Sequence, residues 1–338
     1  MFKGKKILVA GGTGLIGIPL VEMLLEQGAT IRVSSLDDPS RCPAGAEFVS
    51  TNLTVLENCK QVCQGMDYVF NLLGVKGSPM MGKMQPGTFF SNTVSLSINL
   101  LEAARSSGCS GYLFTSSIAV YAPAEVFYED TVWKTFPSDN DKFPGWAKRT
   151  GELQVMAYQQ EYQDMNLSIV RPANVYGLYD NFDLKNAMVI PSLIKRAVNG
   201  ENPFTVWGDG LIERDFIHAR DVAKGMILAA AQPSVDGVVE AINLGSGVGT
   251  SIKDLVEVVI SNLEEKPEIV WDTSKPTGDR KRILDITKAR AIGYEPTISI
   301  ANGIKEVMDW YKENQGRIAQ RYDIFNLLKG QIPRPLGR

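Results

Sequence analysis

The stretch GGTGLIG sets Gly11, Gly14 and Gly17 between a short apolar run, KKILVA, and an amphipathic stretch that runs to about Gln27. Glycines at this spacing allow a tight turn and let backbone N–H groups approach a pyrophosphate. The last one lets a helix pack closely on its strand. The strand–turn–helix setting makes this a dinucleotide site, and Thr13, Leu15 and Ile16 belong to the same turn. A carboxylate at the end of the next strand would read a ribose diol and favour NAD. Its absence beside a base favours NADP. Counting on from Gly17 lands on Ser35, with Arg41 close by, which leans to NADP; Asp37 and Asp38 are near enough to take the diol instead. A second kind of chemistry is suggested by KFPGWAKRTGE, residues 142–152. It reads as the start of a helix that carries Lys148. Residues i and i+4 share a helix face, and four before Lys148 stands Pro144, which has no proton to move. Proline suits a first helical turn, so helix geometry alone accounts for it.

These groups need a frame. ATIRVSS, EFVST, DYVFNLL, GYLFTSS and LSIVRP follow KKILVA as strand-like runs, with helices expected near 53–63 and 88–107. Strands alternating with helices imply a parallel sheet with helices on both faces, and such sheets bind ligands along the edge where the strands end. After about Pro172 the pattern loosens. Helical segments near 188–198, 221–231, 251–263 and 301–313 are separated by short strands such as FTVWG and EIVW. The expected organisation is a dinucleotide-binding domain over 1–172, which takes in a further segment near 205–245. A smaller mixed α/β substrate lobe follows over 173–314, then a tail over 315–338.

The chain has 338 residues and a net charge of −3, which offers no field for nucleic acid or an anionic membrane. No apolar run approaches the roughly 20 residues of a membrane span, and the chain opens directly into a strand, so the expected compartment is the cytoplasm. Four cysteines (Cys42, Cys59, Cys63, Cys109) without a CxxC pair read as reduced thiols, with no metal site expected. The single histidine, His218 in DFIHA, reads as a packed side chain.

GGTGLIG, FTSSIAVY and GWAKRTGE, in this order, resemble the extended short-chain dehydrogenase/reductase family. The likeness runs to about residue 314 through NTVSLSINLLEAARSSG, RPANVYGLYDNF, VIPSLIKR, VWGDGLIERDFIHARDVA and SKPTGDRKRILDITKA. The last four stretches are most similar to GDP-L-fucose synthase and its relatives on GDP-4-keto sugars. The resemblance implies a Rossmann-type doubly wound parallel sheet and an NAD(P)(H) cofactor. It also implies a nucleotide-sugar substrate, hydride transfer at the sugar C4, and a homodimer paired through the helices at 88–107 and 145–163. It implies that Asn52 and Leu53 lie beside the adenine and that Leu72, Leu73 and Pro172 line the cofactor channel. Asn174, Arg196, Trp207, Arg214 and Lys275 match positions that hold the nucleotide diphosphate.

In such enzymes a tyrosine moves the proton, a lysine four residues on holds the nicotinamide ribose, and a serine or threonine bonds the reacting oxygen. By this resemblance Ser117 and Lys148 fill the last two roles, and Pro144 fills the tyrosine slot. The cysteine and histidine that the branch uses to invert sugar carbons are Ala119 and Met188 here, so no epimerisation through that pair is expected. A water held by Ser117 and Lys148 would carry the proton, or Tyr121, Tyr128 or Tyr179 would reach in from a loop. Residues 121–142 form an insertion long enough to cover the site. The favoured reading is an enzyme with a changed acid/base. The alternative is a catalytically silent binder of dinucleotide or sugar nucleotide.

Overall fold

The computed structural model describes residues 1–75, 84–232, 238–275, 278–317 and 321–322. The elements in chain order are β1 (Lys6–Ala10), α1 (Gly17–Glu26), β2 (Thr30–Ser35), β3 (Glu47–Ser50), α2 (Leu56–Cys63), β4 (Tyr68–Asn71), α3 (Pro86–Ser106), β5 (Gly111–Thr115), β6 (Val126–Phe127), α4 (Lys142–Glu161) and β7 (Asn166–Pro172). There follow β8 (Asn174–Tyr176), α5 (Val189–Val198), β9 (Phe204–Trp207), β10 (Glu213–His218), α6 (Ala219–Ala230), β11 (Ala241–Leu244), β12 (Gly249–Ser251), α7 (Ile252–Ser261), β13 (Ile269–Asp272), β14 (Lys281–Leu284), α8 (Thr287–Ala291) and α9 (Ile300–Asn314).

Seven strands form one sheet in the order β11-β7-β5-β4-β1-β2-β3, and every pairing in it is parallel. This is the expected Rossmann-type, doubly wound arrangement. β1 shows why it needs helices on both faces. Alternate strand residues point to opposite sides, and all of Ile7, Leu8, Val9 and Ala10 are buried. Ile7 and Val9 join α1 (Leu20, Val21, Leu24) and α6 (Val222, Met226) in one core. Leu8 and Ala10 join α2 (Val62), α3 (Leu100, Leu101) and α4 (Val155) in the other. The order reverses at β1, so the β1–β4 boundary is the switch point where such sheets bind ligands.

The rest of the chain has its own core from α5, α7 and α9, with Ile194, Leu255, Val259, Ile304 and Met308 packed around β9 and Phe216. β12, β10, β14 and β6 form a second sheet that β8 also joins, and β9 pairs with β13. The insertion at 121–142 is built into this frame. β6 pairs with β14, and the buried Arg149 donates to Val120 O and Thr135 O on either side of it. Among the described residues no helix is long and apolar enough to cross a membrane. Cys59, Cys63 and Cys109 are buried and unbridged. His218 is buried against Tyr176, edge to face.

Candidate active site

The turn after β1 must be glycine for reasons that can be measured. Gly11 has φ +84°, in the left-handed region that glycine enters without penalty. A Cβ on Gly17 would stand 2.3 Å from Gly11 O, and one on Gly12 would stand 2.8 Å from Val33. Gly12 lies outside the G-x-x-G-x-x-G spacing; its constraint comes from β2, a neighbour that motif spacing does not show. α1 starts at Gly17 with Ile16 as N-cap and no side chain capping it. In its first turn Ile18 N donates to Gly14 O at 3.1 Å and Pro19 has no N–H, so the helix end is tied to the glycine turn and the phosphate-facing backbone is that turn together with Gly17. Leu15 is buried beneath the turn, where a Cβ on Gly177 would be 3.2 Å from its Cδ1. This cradle fits the pyrophosphate of a dinucleotide.

At the end of β2, Thr13 Oγ1 lies 2.7 Å from both Ser35 Oγ and Asp37 Oδ2. Arg41 donates to Thr13 O at 3.3 Å, reaches Tyr179 O at 3.5 Å and sits 4.0 Å from Asp37 Oδ2. Burial, then the neighbouring Arg321, pulls the Arg41 pKa down. Ser35, Arg41 and Asp37 thus meet in one cluster. Asp38 faces away and caps the next turn through Ser40 N. Asn52 is exposed and accepts from Thr54, while Leu53 is buried in the core beside it.

Lys148 stands over the C-terminal edge of the sheet. Its Nζ donates to Thr115 O at 2.7 Å, in the last residue of β5, and to Leu73 O at 2.9 Å, two residues beyond β4. A Cβ on Gly11 would meet Leu72 O and Leu73 Cδ2 at 3.4 and 3.5 Å, so the lysine is one residue contact from the glycine turn. Pro172 closes β7 at the same edge. Ser117 follows β5 in extended backbone and caps a short turn by accepting from Ala119 N at 3.2 Å. α4 starts at Lys142, which puts Pro144 in its first turn, where the absent N–H removes no helical bond. Gly145 follows because a Cβ there would be 2.4 Å from Ala119 O. The first turn of α4 therefore lies directly on the Ser117–Val120 turn.

Of the three loop tyrosines, Tyr121 is excluded as a proton carrier. It is 1% exposed, donates to Asn243 Oδ1, accepts from Arg171 and stacks on Phe127. Burial also drives its pKa up. Tyr179 packs edge-on against Trp310, and its carbonyl accepts from Arg41. Tyr128 is half exposed. Tyr121 belongs to a buried polar brace in which Arg171 grips Glu152 with two bonds of 2.8 and 2.7 Å. Ser116 also donates to Glu152, and Arg171 reaches Glu129 O. The brace ties β7, α4 and the insertion together.

In the second lobe Trp207 is 69% exposed, with Lys275 Nζ 5.9 Å from its ring centre. Arg214 on β10 pairs in register with Arg282 on β14, which brings a second guanidinium that the sequence reading left out. Arg214 donates to Asp279 O at 2.7 Å. Arg282 donates to Asp141 at 2.9 Å. Burial, then Arg282, lowers the Arg214 pKa. Asn174 donates to Asp215 O and so joins β8 to β10. Arg196, expected with the diphosphate ligands, makes a two-pronged pair with Glu201 and donates to Thr205 O. Its guanidinium ties α5 to β9. Met188 is the exposed N-cap of α5, and Ala119 is buried.

The model of the NAD dependent epimerase/dehydratase family matches residues 7–245. GDP-L-fucose synthase 1 of Arabidopsis thaliana is 28% identical over 322 residues, covering 92% of this chain and 94% of its own. GDP-L-fucose synthase of Escherichia coli is 25% identical over 333 residues, covering 93% and 98%. Among solved structures, the UDP-glucose 4-epimerase of Thermotoga maritima with UDP-glucose is similar with a TM-score of 0.80 and 26% identity, covering 92% of this chain and 99% of that one. With a glycine cradle at the β1 switch point and a matching family model over most of its length, the chain belongs to the NAD dependent epimerase/dehydratase family.

Proposed function

We propose that this protein is an NAD(P)-dependent oxidoreductase on a nucleotide-activated sugar, with a GDP-sugar favoured and hydride transfer at the sugar C4. The observation that carries an enzyme over a silent binder is Lys148. Its ammonium is fixed by two carbonyls at the strand edge, beside the glycine turn. That is where it would hold a nicotinamide ribose, and not where a surface lysine would be left.

When bound, the nicotinamide supplies or accepts the hydride. The chain does the rest. Gly11, Gly14 and Gly17 at the start of α1 hold the pyrophosphate. Ser117 Oγ bonds the reacting sugar oxygen. The proton that a tyrosine would move passes through a water held between Ser117 and Lys148 or through the exposed Tyr128, since Tyr121 is locked in the brace and Tyr179 packs on Trp310. Trp207 gives the nucleobase a stacking face. Arg214, Arg282 and Lys275 supply the convergent cations that a diphosphate needs. Ser35 and Arg41 favour NADP(H) at the ribose end. The outer face of α3 and α4 leaves Ile98, Trp146 and Leu153 exposed, which fits pairing with a second copy through these helices.

A second reading, a silent binder, draws on Pro144, Ala119 and Met188 together. One experiment separates the two. The purified protein is denatured and its small molecules are identified by mass and absorbance. A panel of GDP- and UDP-sugars is then added to native protein while reduced nicotinamide is followed. A redox change with one sugar supports the enzyme. Tight cofactor binding with no change on any sugar supports the binder, and no dinucleotide binding rejects both.

A further inference from the structure

Arg321 and Tyr322 lie at the cofactor end of the sheet. Tyr322 N donates to Asp37 Oδ1 at 2.8 Å, across 285 residues of chain. Arg321 donates through Nη2 to Tyr179 O, the carbonyl that Arg41 Nη2 also reaches. Two guanidiniums thus meet at one oxygen atom, and Arg41 continues to Thr13 O in the glycine turn. Both oxygens of Asp37 are already engaged by the protein in this arrangement. Its Oδ2 faces Thr13 and Arg41, and its Oδ1 takes the Tyr322 N–H. A ribose diol would have to share these oxygens with Thr13, Arg41 and the Tyr322 N–H. In contrast, Arg321 Nε is buried with no hydrogen-bond partner among the described residues. A buried donor left unmade is costly, and this one belongs to the group best shaped for two-pronged phosphate contacts. The charges of Asp180 and Asp37 favour the charged form of Arg321, but Nε has no hydrogen-bond acceptor among the described residues.

We infer that Arg321 is a specificity-determining residue of the cofactor site, offering its guanidinium beside Arg41 to the 2′-phosphate of NADP(H). Tyr322 assists by occupying the carboxylate oxygen that would otherwise select the diol of NAD(H). The inference rests on the dinucleotide reading above. It assigns a role to Arg321 and Tyr322, which no glycine or strand motif foreshadows.

The test is equilibrium titration of the full chain with NADPH and with NADH, in the parent, Arg321→Gln and Arg321→Lys. The expected result is that Arg321→Gln weakens NADPH by about 10- to 100-fold, the effect of one charge-assisted bond, and changes NADH by less than about twofold. Arg321→Lys should recover part of the NADPH affinity. Equal weakening of both cofactors would mean that the tail only props the fold and would overturn the inference. So would no change in either. A parent that binds neither dinucleotide overturns the underlying reading as well. A parent that binds well but whose NADPH/NADH ratio ignores Arg321 overturns the tail assignment alone. Melting curves of both variants establish that each is folded.

Discussion

Replacing Pro144 by tyrosine tests the proton route directly. The residue lies in the first turn of α4, one helical turn before Lys148. No backbone N–H is needed there, so the change should alter stability by no more than about 1 kcal/mol. Side chains at i and i+4 have Cβ atoms about 5–6 Å apart. A unit positive charge at about 6 Å, with an effective dielectric of about 20, favours a phenolate by roughly 3 kcal/mol, or about two pKa units. A tyrosine at 144 should therefore titrate near 8 and not near 10. Positioned acid/base groups contribute about 10²–10⁴-fold, or about 3–5.5 kcal/mol. Pro144→Tyr should raise kcat by that factor on the sugar that the parent turns over, and the gain should follow a pH profile with a new apparent pKa near 8. The assay is reduced-nicotinamide absorbance, with cofactor affinity and melting temperature as controls. If the variant folds, binds cofactor like the parent and turns over no faster, the proton does not pass through position 144. Its assignment as the tyrosine slot would then fail.

Other outcomes follow from the same geometry. Gly17→Ala should abolish measurable dinucleotide binding in a fluorescence titration, because its Cβ would sit 2.3 Å from Gly11 O. Glu152→Gln leaves Arg171 buried without a counter-charge and should cost about 3–5 kcal/mol by urea denaturation, because both side chains lie within the interior. His218 has its pKa lowered by burial, which outweighs the raising effect of Glu306 at 3.7 Å. The unfolded chain then takes up its proton first as pH falls. Stability should be full above about 6.5 and decline below it by up to about 1.4 kcal/mol per pH unit. His218→Asn, which keeps an acceptor for Arg220 N, should flatten that decline when stability is compared at pH 7.5 and 5.5. Leu153→Glu, on an exposed face of α4, should convert a dimer to a monomer by sedimentation with little change in melting temperature.

The sequence by itself determined the local parts of this protein. Glycine positions report backbone conformation and close approach within one turn, so the cradle at Gly11, Gly14 and Gly17 was legible from spacing alone. Strand and helix periods are set by which face is buried, so the alternation that builds the parallel sheet was legible too. The juxtaposition of Pro144 and Lys148 needed only the helical repeat. Contacts between distant residues were decided by the tertiary structure. Arg196 looked like a diphosphate ligand, but Glu201 and Thr205 O satisfy it. Arg282 stands beside Arg214 only because β14 lies beside β10. Tyr121 was a candidate proton carrier until Asn243, 122 residues away, closed over its hydroxyl. The same holds for Asp37, whose hydrogen-bonding capacity is fixed by a backbone N–H from the far end of the chain. A charged or hydroxyl side chain has the same chemistry wherever it stands. Whether it serves a ligand or a neighbour depends on which groups reach it first, and that is a property of the folded chain.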